Sequence, residues 1–531
     1  MLSCRFSTLA ANYGLHLIVF LISGINKEKA VIFELFPIRR IMQIEVKRRG
    51  LKFKPDFSRV IARFFYMNDD RALGIIKAVL EMSEDEVRMV LNQVLRDFSM
   101  RHRNCSRIFQ RHYENVRHLL PRLGVSGEEI SSERQLIIGS YFTLEYSIEA
   151  AAIFNPSIVE HPDQSEIAQG EKRVILSFRA TGEGHLSSIV FRTGVLDKEG
   201  NLTIEPIGKF VEEAEYIRRH VYDKEAFKRK LEEMECSSLI PSDVVLNKLG
   251  ERFTYGELKK VIVEVAASPH LVTEKKLLLD QISWLASSHY ELQFSLDTNI
   301  SERVIFPVSY NEKNGIEDAR FVKFTDDDGS VTYYATYTAY DGISILPKLL
   351  STKDFYHFEV MPIHGEVAQN KGMALFPRKI RGKYAMLCRM DGINNYIAYS
   401  DDITVWREAK LIQKVKYPWE LVQVGNCGSP IETPDGWLVI THGVGPMREY
   451  SIGASLFDLE NPEIEIGRLS SPLLVPNTEE REGYVPNVVY SCGSIVYNGY
   501  LVIPYAMSDY ASTYATVDLK ELLRILRDSE E

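Results

Sequence analysis

The segment Glu317-Asp318-Ala319-Arg320 sets two carboxylates beside a guanidinium. A carboxyl group in such company can serve as a general acid or can be held in an ion pair. Successive side chains of a regular strand point to opposite faces. One of Glu317 and Asp318 is therefore expected to face a ligand as the acid, while the other holds Arg320 or a sugar hydroxyl. Taken alone, the structural alternative for Glu-Asp-x-Arg is a surface ion pair. Arg179, Asp341, Arg389, His442 and Asp509 each stand at or just past the end of an apolar, strand-like run. In a β-propeller those ends converge on the axis, where ligands bind.

Other groups carry less. Cys427, in Asn426-Cys427-Gly428-Ser429, would need a placed His base to act as a nucleophile, and it is read as structural. Gly443-Val444-Gly445 lacks the Lys-Ser/Thr and the strand–loop–helix context of a phosphate loop. Asp326-Asp327-Asp328-Gly329 lacks the remaining ligands of a calcium loop and reads as a hairpin turn. His102, His112 and His118 lie among arginines that would repel a cation, and no metal site is expected. The six cysteines (4, 105, 236, 388, 427 and 492) form neither zinc-type pairs nor a dense disulfide framework. Reduced thiols and a cytoplasmic protein follow.

The elements that must position these residues change character along the chain. Residues 51–135 are expected to form a helical domain. Ser83-Glu84-Asp85-Glu86 is a capping box, followed by Val87, Val90, Leu91, Val94 and Leu95 at helical spacing. Cys105–Leu120 repeats the pattern, and Pro121 is expected to stop it. Residues 136–523 are expected to form one strand-rich domain, interrupted at about 211–290 by a helical insertion with its own capping box, Thr254-Tyr255-Gly256-Glu257. Five strand units recur: Arg173–Arg192, Thr332–Tyr340, Lys383–Tyr399, Gly436–His442 and Gly499–Tyr505. Their spacing is roughly 50–65 residues once the insertion is removed, a period that signals a propeller. A β-sandwich is the alternative. The fold is expected to be mainly β: a five-bladed β-propeller with an N-terminal helical domain and a helical insertion.

Composition excludes other classes. Among 531 residues, 45% are hydrophobic and 26% charged, enough for large cores. The net charge of −10 argues against a nucleic-acid binder, which carries a basic footprint. The first fifty residues differ, with eight Lys/Arg against three Asp/Glu. Their apolar run, Leu15–Ile25, is too short for a bilayer, which takes about 20 residues. Residues 1–50 are read as a basic and apolar extension; a mis-assigned start, with Met42 as the natural one, is the favoured expectation, and a packed strand or helix or a targeting segment is the alternative.

The series Phe154-Asn155-Pro156, Ser177-Phe178-Arg179, Gly315–Arg320, Thr336–Gly342, Leu375–Pro377 through Arg389, Gly436-Trp437 through His442-Gly443-Val444, and Tyr505–Asp509 resembles glycoside hydrolase family 130, the β-mannoside phosphorylases and related β-mannosidases. The resemblance implies a five-bladed propeller, an inverting mechanism and Asp318 as the general acid, acting through a mannose hydroxyl. It implies a mannose pocket of Asn155, Arg179, Glu317, Arg320, Tyr340, Asp341 and Asp509. Arg389, His442 and Tyr450 match phosphate-holding positions, and Lys371 stands where many phosphorylases carry Arg. Two residues depart from the pattern: Ala319 replaces the usual Pro, and Cys388 replaces a common His beside Arg389.

Phosphorolysis and hydrolysis make different demands. An inverting hydrolase needs a carboxylate base about 6.5–9.5 Å from its acid, and Glu432 is the candidate. Inverting phosphorolysis needs cations to hold the anionic nucleophile, and Lys371, Arg389 and His442, with Arg448 as a further candidate, are expected to supply them. Phosphorolysis of a β-mannoside oligosaccharide or glycoconjugate, with inorganic phosphate as co-substrate and no cofactor, is the favoured expectation. The alternatives are an inverting β-mannosidase and a non-catalytic carbohydrate-binding propeller. The insertion is expected to cover the funnel and shape the acceptor site, or to mediate homo-oligomerisation.

Overall fold

The computed structural model describes residues 44–217, 221–233, 241–267, 273–342 and 345–530. The apolar run Leu15–Ile25, the start at Met42, Cys4 and Cys236 lie outside the described residues. The protein is mainly β. Five sheets, antiparallel except where Glu212–Glu213 pairs parallel with Arg303–Val304 in the first, follow one another along the chain, and strand pairing is local except at the ends and at the insertion.

The first sheet begins with Ala152–Glu160, Lys172–Thr181 and Ser187–Leu196. The second begins with Ile316–Thr325, Val331–Tyr340, Ile345–Thr352 and His357–Pro362. The third holds Ala374–Leu375, Tyr384–Cys388, Asn395–Ser400 and Ala409–Gln413. The fourth holds Gln423–Asn426, Gly436–Val444, Tyr450–Phe457 and Glu465–Arg468. The fifth holds Val489–Tyr490, Tyr500–Met507, Ala511–Asp518 and, from the other end of the sequence, Val46–Arg48. Val46 pairs with Val517, so one sheet joins the two ends of the described chain.

Apolar side chains seal neighbouring sheets together. Phe191 and Ile175 of the first pack with Phe321, Tyr333 and Leu350 of the second. Leu349 and Val322 of the second pack with Met386 and Ala398 of the third. Ala385 and Ile397 of the third pack with Trp437 and Val439 of the fourth. The fourth meets the fifth where Tyr450 bridges to Val488. Val502 and Tyr514 of the fifth pack with Leu176 and Phe178 of the first. Strand periodicity produces this arrangement: alternate side chains face opposite neighbours, so one strand serves two cores.

Asp326–Gly329 is the hairpin turn expected of it, with Gly329 N–H donating to Asp326 O at 2.9 Å. The helical region runs from Asp69 to Tyr141. It therefore crosses the expected boundary at 135, because Ser132–Tyr141 is still helix. A strand pair, Val60–Phe64 with Thr143–Ser147, brackets it. Ser83 and Glu86 form the capping box, and so do Thr254 and Glu257. Pro121 lies inside a short 3-10 turn, Arg117–Leu123, and does not end the element.

The helical insertion is narrower than 211–290. Glu212–Glu213 joins the first sheet, while Glu215–Ile217 and Tyr290–Gln293 pair with each other and extend the second. The insertion thus leaves from and returns to the edge of the second sheet opposite Ile316–Thr325. Its helices, Lys224–Glu233, Tyr255–Ala266 and Thr273–Ser288, share a core of their own around Phe253, Leu258 and Ile282. Among the described residues no helix is long and apolar enough to cross a membrane.

Candidate active site

Two matching bulges build the centre of the site. In the second sheet the register slips between Glu317 and Arg320, so Asp318 and Ala319 face a single residue of the partner strand. In the first sheet it slips between Phe154 and Ser157, across Asn155 and Pro156. Asp318 and Asn155 take left-handed backbone angles, φ 56° and 49°. Asp and Asn tolerate that region better than other side chains, and a bulge re-aims the side chain it carries. Here the two aim at each other, and Asn155 Nδ2 donates to Asp318 Oδ1 at 2.7 Å.

The bulge corrects the expectation drawn from regular strand alternation. Glu317 and Asp318 face the same guanidinium: Arg179 reaches Glu317 Oε1 at 2.9 Å and Asp318 Oδ1 at 3.7 Å. Lys371 Nζ holds the other oxygen of Glu317 at 2.5 Å. Neither carboxylate forms an ion pair with Arg320. That residue is buried, donating to Tyr490 Oη at 2.6 Å and weakly to the Asp318 carbonyl at 3.4 Å.

Charge on this side is finely set. Burial opposes ionisation of Asp318, but Arg179, Arg320, the Asn155 hydrogen bond and Lys371 outweigh it and hold the carboxyl below its ordinary value. Asp509 follows Ser508 in a left-handed pair, φ 50° and 52°, of the kind that makes tight hairpin turns. Burial, then the neighbouring charge of Asp318, pushes its carboxyl up to about 6. Tyr340 and Asp341 end the adjacent strand, half-buried, and Tyr340 Oη donates to Gly342 O at 3.0 Å.

Beyond Arg320 the site becomes cationic. Arg389 Nη1 donates to His442 Nε2 at 3.3 Å, and Gln423 Nε2 donates to the same nitrogen at 3.0 Å. His442 Nδ1 donates to Asn426 O at 3.1 Å, which fixes the tautomer that leaves Nε2 as acceptor. Burial and then Arg389 and Arg320 push His442 far below its usual range, so it is neutral at pH 7. Tyr450 stacks on the imidazole at 6.2 Å between centroids, and Tyr490 meets it edge-on at 5.0 Å. Gly425 makes room: a Cβ there would lie 2.4 Å from His442 Cε1. Neither Arg320 nor Arg389 is in an ion pair among the described residues, and both leave a buried Nε without a partner. Asn155 Oδ1 and Arg179 Nε are likewise orphaned. These groups suit a polyhydroxylated ligand and an oxyanion.

Glu432 lies elsewhere. It pairs with Trp437, five residues before His442 on the same strand, or about 17 Å away by strand rise. It is exposed and held by Arg378 through two bonds of 2.9 Å. Tyr490, Gln423 and Asn426 are site residues that sequence reasoning passed over. Tyr490 belongs to a two-residue strand, too short to show any period. Among the described histidines of the helical region, His102 bonds Glu145, His112 bonds Thr143 and His118 bonds a backbone carbonyl, so they share no site.

The protein-family model described as beta-1,4-mannooligosaccharide phosphorylase matches residues 292–528. The 1,2-beta-oligomannan phosphorylase of Thermoanaerobacter sp. (strain X514) is 37% identical over 227 residues, covering 41% of this chain and 74% of that protein. The chain belongs to glycoside hydrolase family 130.

A second member of the family, the beta-1,2-mannobiose phosphorylase of Listeria innocua, is 30% identical over 242 residues, covering 44% of this chain and 65% of that protein. The solved structure of the Listeria innocua beta-1,2-mannobiose phosphorylase with beta-1,2-mannobiose covers 72% of this chain and 94% of its own, at 21% identity and a TM-score of 0.43. The stretch matched by the family model begins after the helical insertion, so it omits Asn155 and Arg179. The fold returns both to Asp318, because the first and second sheets pack side by side across the insertion. Of the two departures from the family pattern, Ala319 sits buried within the bulge. Cys388 points into the core between the second and third sheets, where burial pushes its thiol up to about 12.

Proposed function

We propose that this chain cleaves β-mannosides by inverting phosphorolysis, on a five-bladed β-propeller whose blades are the five sheets. Support for the propeller comes from the sequential packing of the sheets, from the contact of the fifth with the first, and from Val46–Arg48 completing the last sheet. Phosphorolysis rests chiefly on one observation. Arg320 and Arg389 lie beside a neutral His442, in no ion pair among the described residues, with the Asp318 carboxylate the nearest opposing charge on Arg320. A cation pair left without counter-charge is costly unless an anion joins it, and inorganic phosphate is the nucleophile such a pair can hold.

In this assignment Asn155, Arg179, Glu317, Tyr340, Asp341 and Asp509 hold the mannosyl ring. Arg320, Arg389 and Tyr450 hold phosphate, with Lys371 at the border through Glu317; His442, expected among the cations, is neutral and has no free N–H, so it orients Arg389 through Nε2 instead. A phosphate oxygen attacks the anomeric carbon as its bond to the glycosidic oxygen breaks. The Asp318 proton passes, through a mannose hydroxyl, to that oxygen. The products are α-mannose 1-phosphate and a shortened acceptor. Asp318 must carry a proton to act, yet the surrounding cations keep it ionised in the free enzyme. Bound phosphate offsets Arg320 and Arg389, so its arrival raises the Asp318 pKa and loads the acid.

Hydrolysis requires a base opposite the acid, and Glu432 is exposed, bonded to Arg378 and paired with Trp437, five strand residues before His442, which weighs against that role. The four described cysteines are free, buried thiols, which supports placing the enzyme in the reducing cytoplasm. The test is product analysis on β-1,2- and β-1,4-mannosides with and without inorganic phosphate. Mannose 1-phosphate formed only with phosphate is expected. Free mannose at equal rates in both would overturn phosphorolysis, and no turnover of either linkage would overturn the substrate class.

A further inference from the structure

We infer that Glu312, a buried carboxylate outside the sugar and phosphate positions, couples the helical insertion to the strand of Glu317 and Asp318 as a positioning residue. Glu312 and Lys348 are both fully buried, and Lys348 Nζ donates to Glu312 Oε1 at 2.8 Å. Tyr337 Oη donates to the same oxygen at 2.7 Å. Tyr290 Oη lies 2.9 Å from each carboxylate oxygen, and the Ser309 amide donates to Oε2 at 3.1 Å. Both oxygens are thus fully used within the protein.

One arm of this network reaches the insertion. Its last helix ends at Ser288, whose Oγ accepts from Asn311 Nδ2 at 2.8 Å. Tyr290, two residues later, begins the strand that returns to the second sheet. The other arm reaches the acid. The Glu312 carbonyl accepts the Gly315 amide at 2.7 Å, and the Gly315 carbonyl accepts the Tyr340 amide at 3.1 Å. Gly315 has φ 119°, and a Cβ there would lie 2.5 Å from Ser187 Oγ, so only glycine fits. Glu317 and Asp318 follow at once. The helices therefore touch the chemistry through the loop Ser309–Gly315, although their edge of the sheet is the one farthest from the acid.

Stability does not explain such a pair, because well-packed apolar residues often serve as well in its place. A fully satisfied buried network instead fixes one geometry. Burial opposes ionisation of Glu312, but Lys348, the Tyr337 hydroxyl and the Ser309 amide outweigh it and hold the carboxyl down at about 2, so its acceptor capacity persists across the working pH range.

Tyr290→Phe and Tyr337→Phe each remove one donor and keep the ring. The kinetic arm rests on the phosphorolysis proposed above, with wild-type turnover as its control. Phosphorolysis kcat is expected to fall about tenfold in each variant, since small displacements remote from the chemistry are costly. KM for the mannoside should change less than twofold. Amide hydrogen exchange, which needs no substrate, is the second arm. Exchange across residues 309–320 should quicken several-fold while residues 436–444 stay unchanged. Glu312→Gln with Lys348→Met, which removes both charges together, should fold and show the same loss. Unchanged exchange across 309–320 in both tyrosine variants would overturn the inference whether or not the enzyme turns over. So would unchanged kcat in an active enzyme, or a loss carried by KM.

Discussion

The two halves of the site hold their charges in opposite ways. On the proposed sugar side two carboxylates have partners: Glu317 lies between Arg179 and Lys371, and Asp318 takes the Asn155 amide. On the phosphate side the guanidiniums of Arg320 and Arg389 make hydrogen bonds but no ion pair among the described residues. In the first half Glu317 and Asp318 are already paired in the free protein. The second is balanced only when an anion arrives. Substituting the two halves should therefore give different kinetic signatures.

The largest effect belongs to the acid. Asp318→Asn keeps the left-handed backbone, which Asn tolerates, and removes the transferable proton. Phosphorolysis should fall about 10³-fold, within the range for general acid catalysis, with mannoside binding retained in calorimetry. Full activity in this variant would erase the distinction between the halves. Arg389→Gln comes next. A hydrogen bond to a charged group contributes about 1.5–3 kcal/mol, so KM for phosphate should rise about tenfold to a hundredfold while mannoside affinity holds. Equal losses toward both substrates would mean that the site is one field and not two halves.

A smaller effect appears in stability. The folded protein holds the Asp509 proton up to about pH 6, whereas an unperturbed Asp releases it near 3.8. Between those values the unfolded chain binds fewer protons, so stability falls as pH rises, and it stays lower above the folded value. Asp509→Asn removes that slope. The melting temperature of the wild type, relative to the variant, should drop on going from about pH 4 to about pH 6. A constant difference across that window would mean that Asp509 and Asp318 do not share the sugar side as described.

Much of this was legible in residue types. The five strand units, both capping boxes and the Asp326–Gly329 turn are local patterns, and the structure contains each of them. One rule, a polar residue ending an apolar strand, singles out Arg179, Asp341, Arg389, His442 and Asp509 as candidates. What alternation could not reveal was the bulge. Nothing in Glu-Asp-Ala-Arg announces an extra residue, so Asp318 was expected to face away from Glu317. The parallel slip at Asn155-Pro156 was a usable signal, because Pro cannot donate to the ladder and marks edges and bulges. Tyr490 and Gln423 were out of reach, since they act from short strands through contacts made across the site. The position of Glu432 was out of reach for a related reason: its distance from His442 depends on a hairpin that doubles back before the site.

Glu432 also supplies the smallest expected effect and the cleanest control. Its only described partner is Arg378, in an exposed bidentate pair at the start of the Gly436–Val444 strand. Exposed ion pairs contribute little, about 0–1 kcal/mol, so Glu432→Gln should leave the melting temperature nearly unchanged. If cations and not a base activate the nucleophile, the variant should also keep wild-type phosphorolysis, and its release of free mannose without phosphate should stay at the wild-type level. A base, by contrast, cannot be neutralised without a large loss of rate. Loss of mannose release in Glu432→Gln would therefore place a second carboxylate in the chemistry and dissolve the contrast between the balanced half and the anion-seeking half.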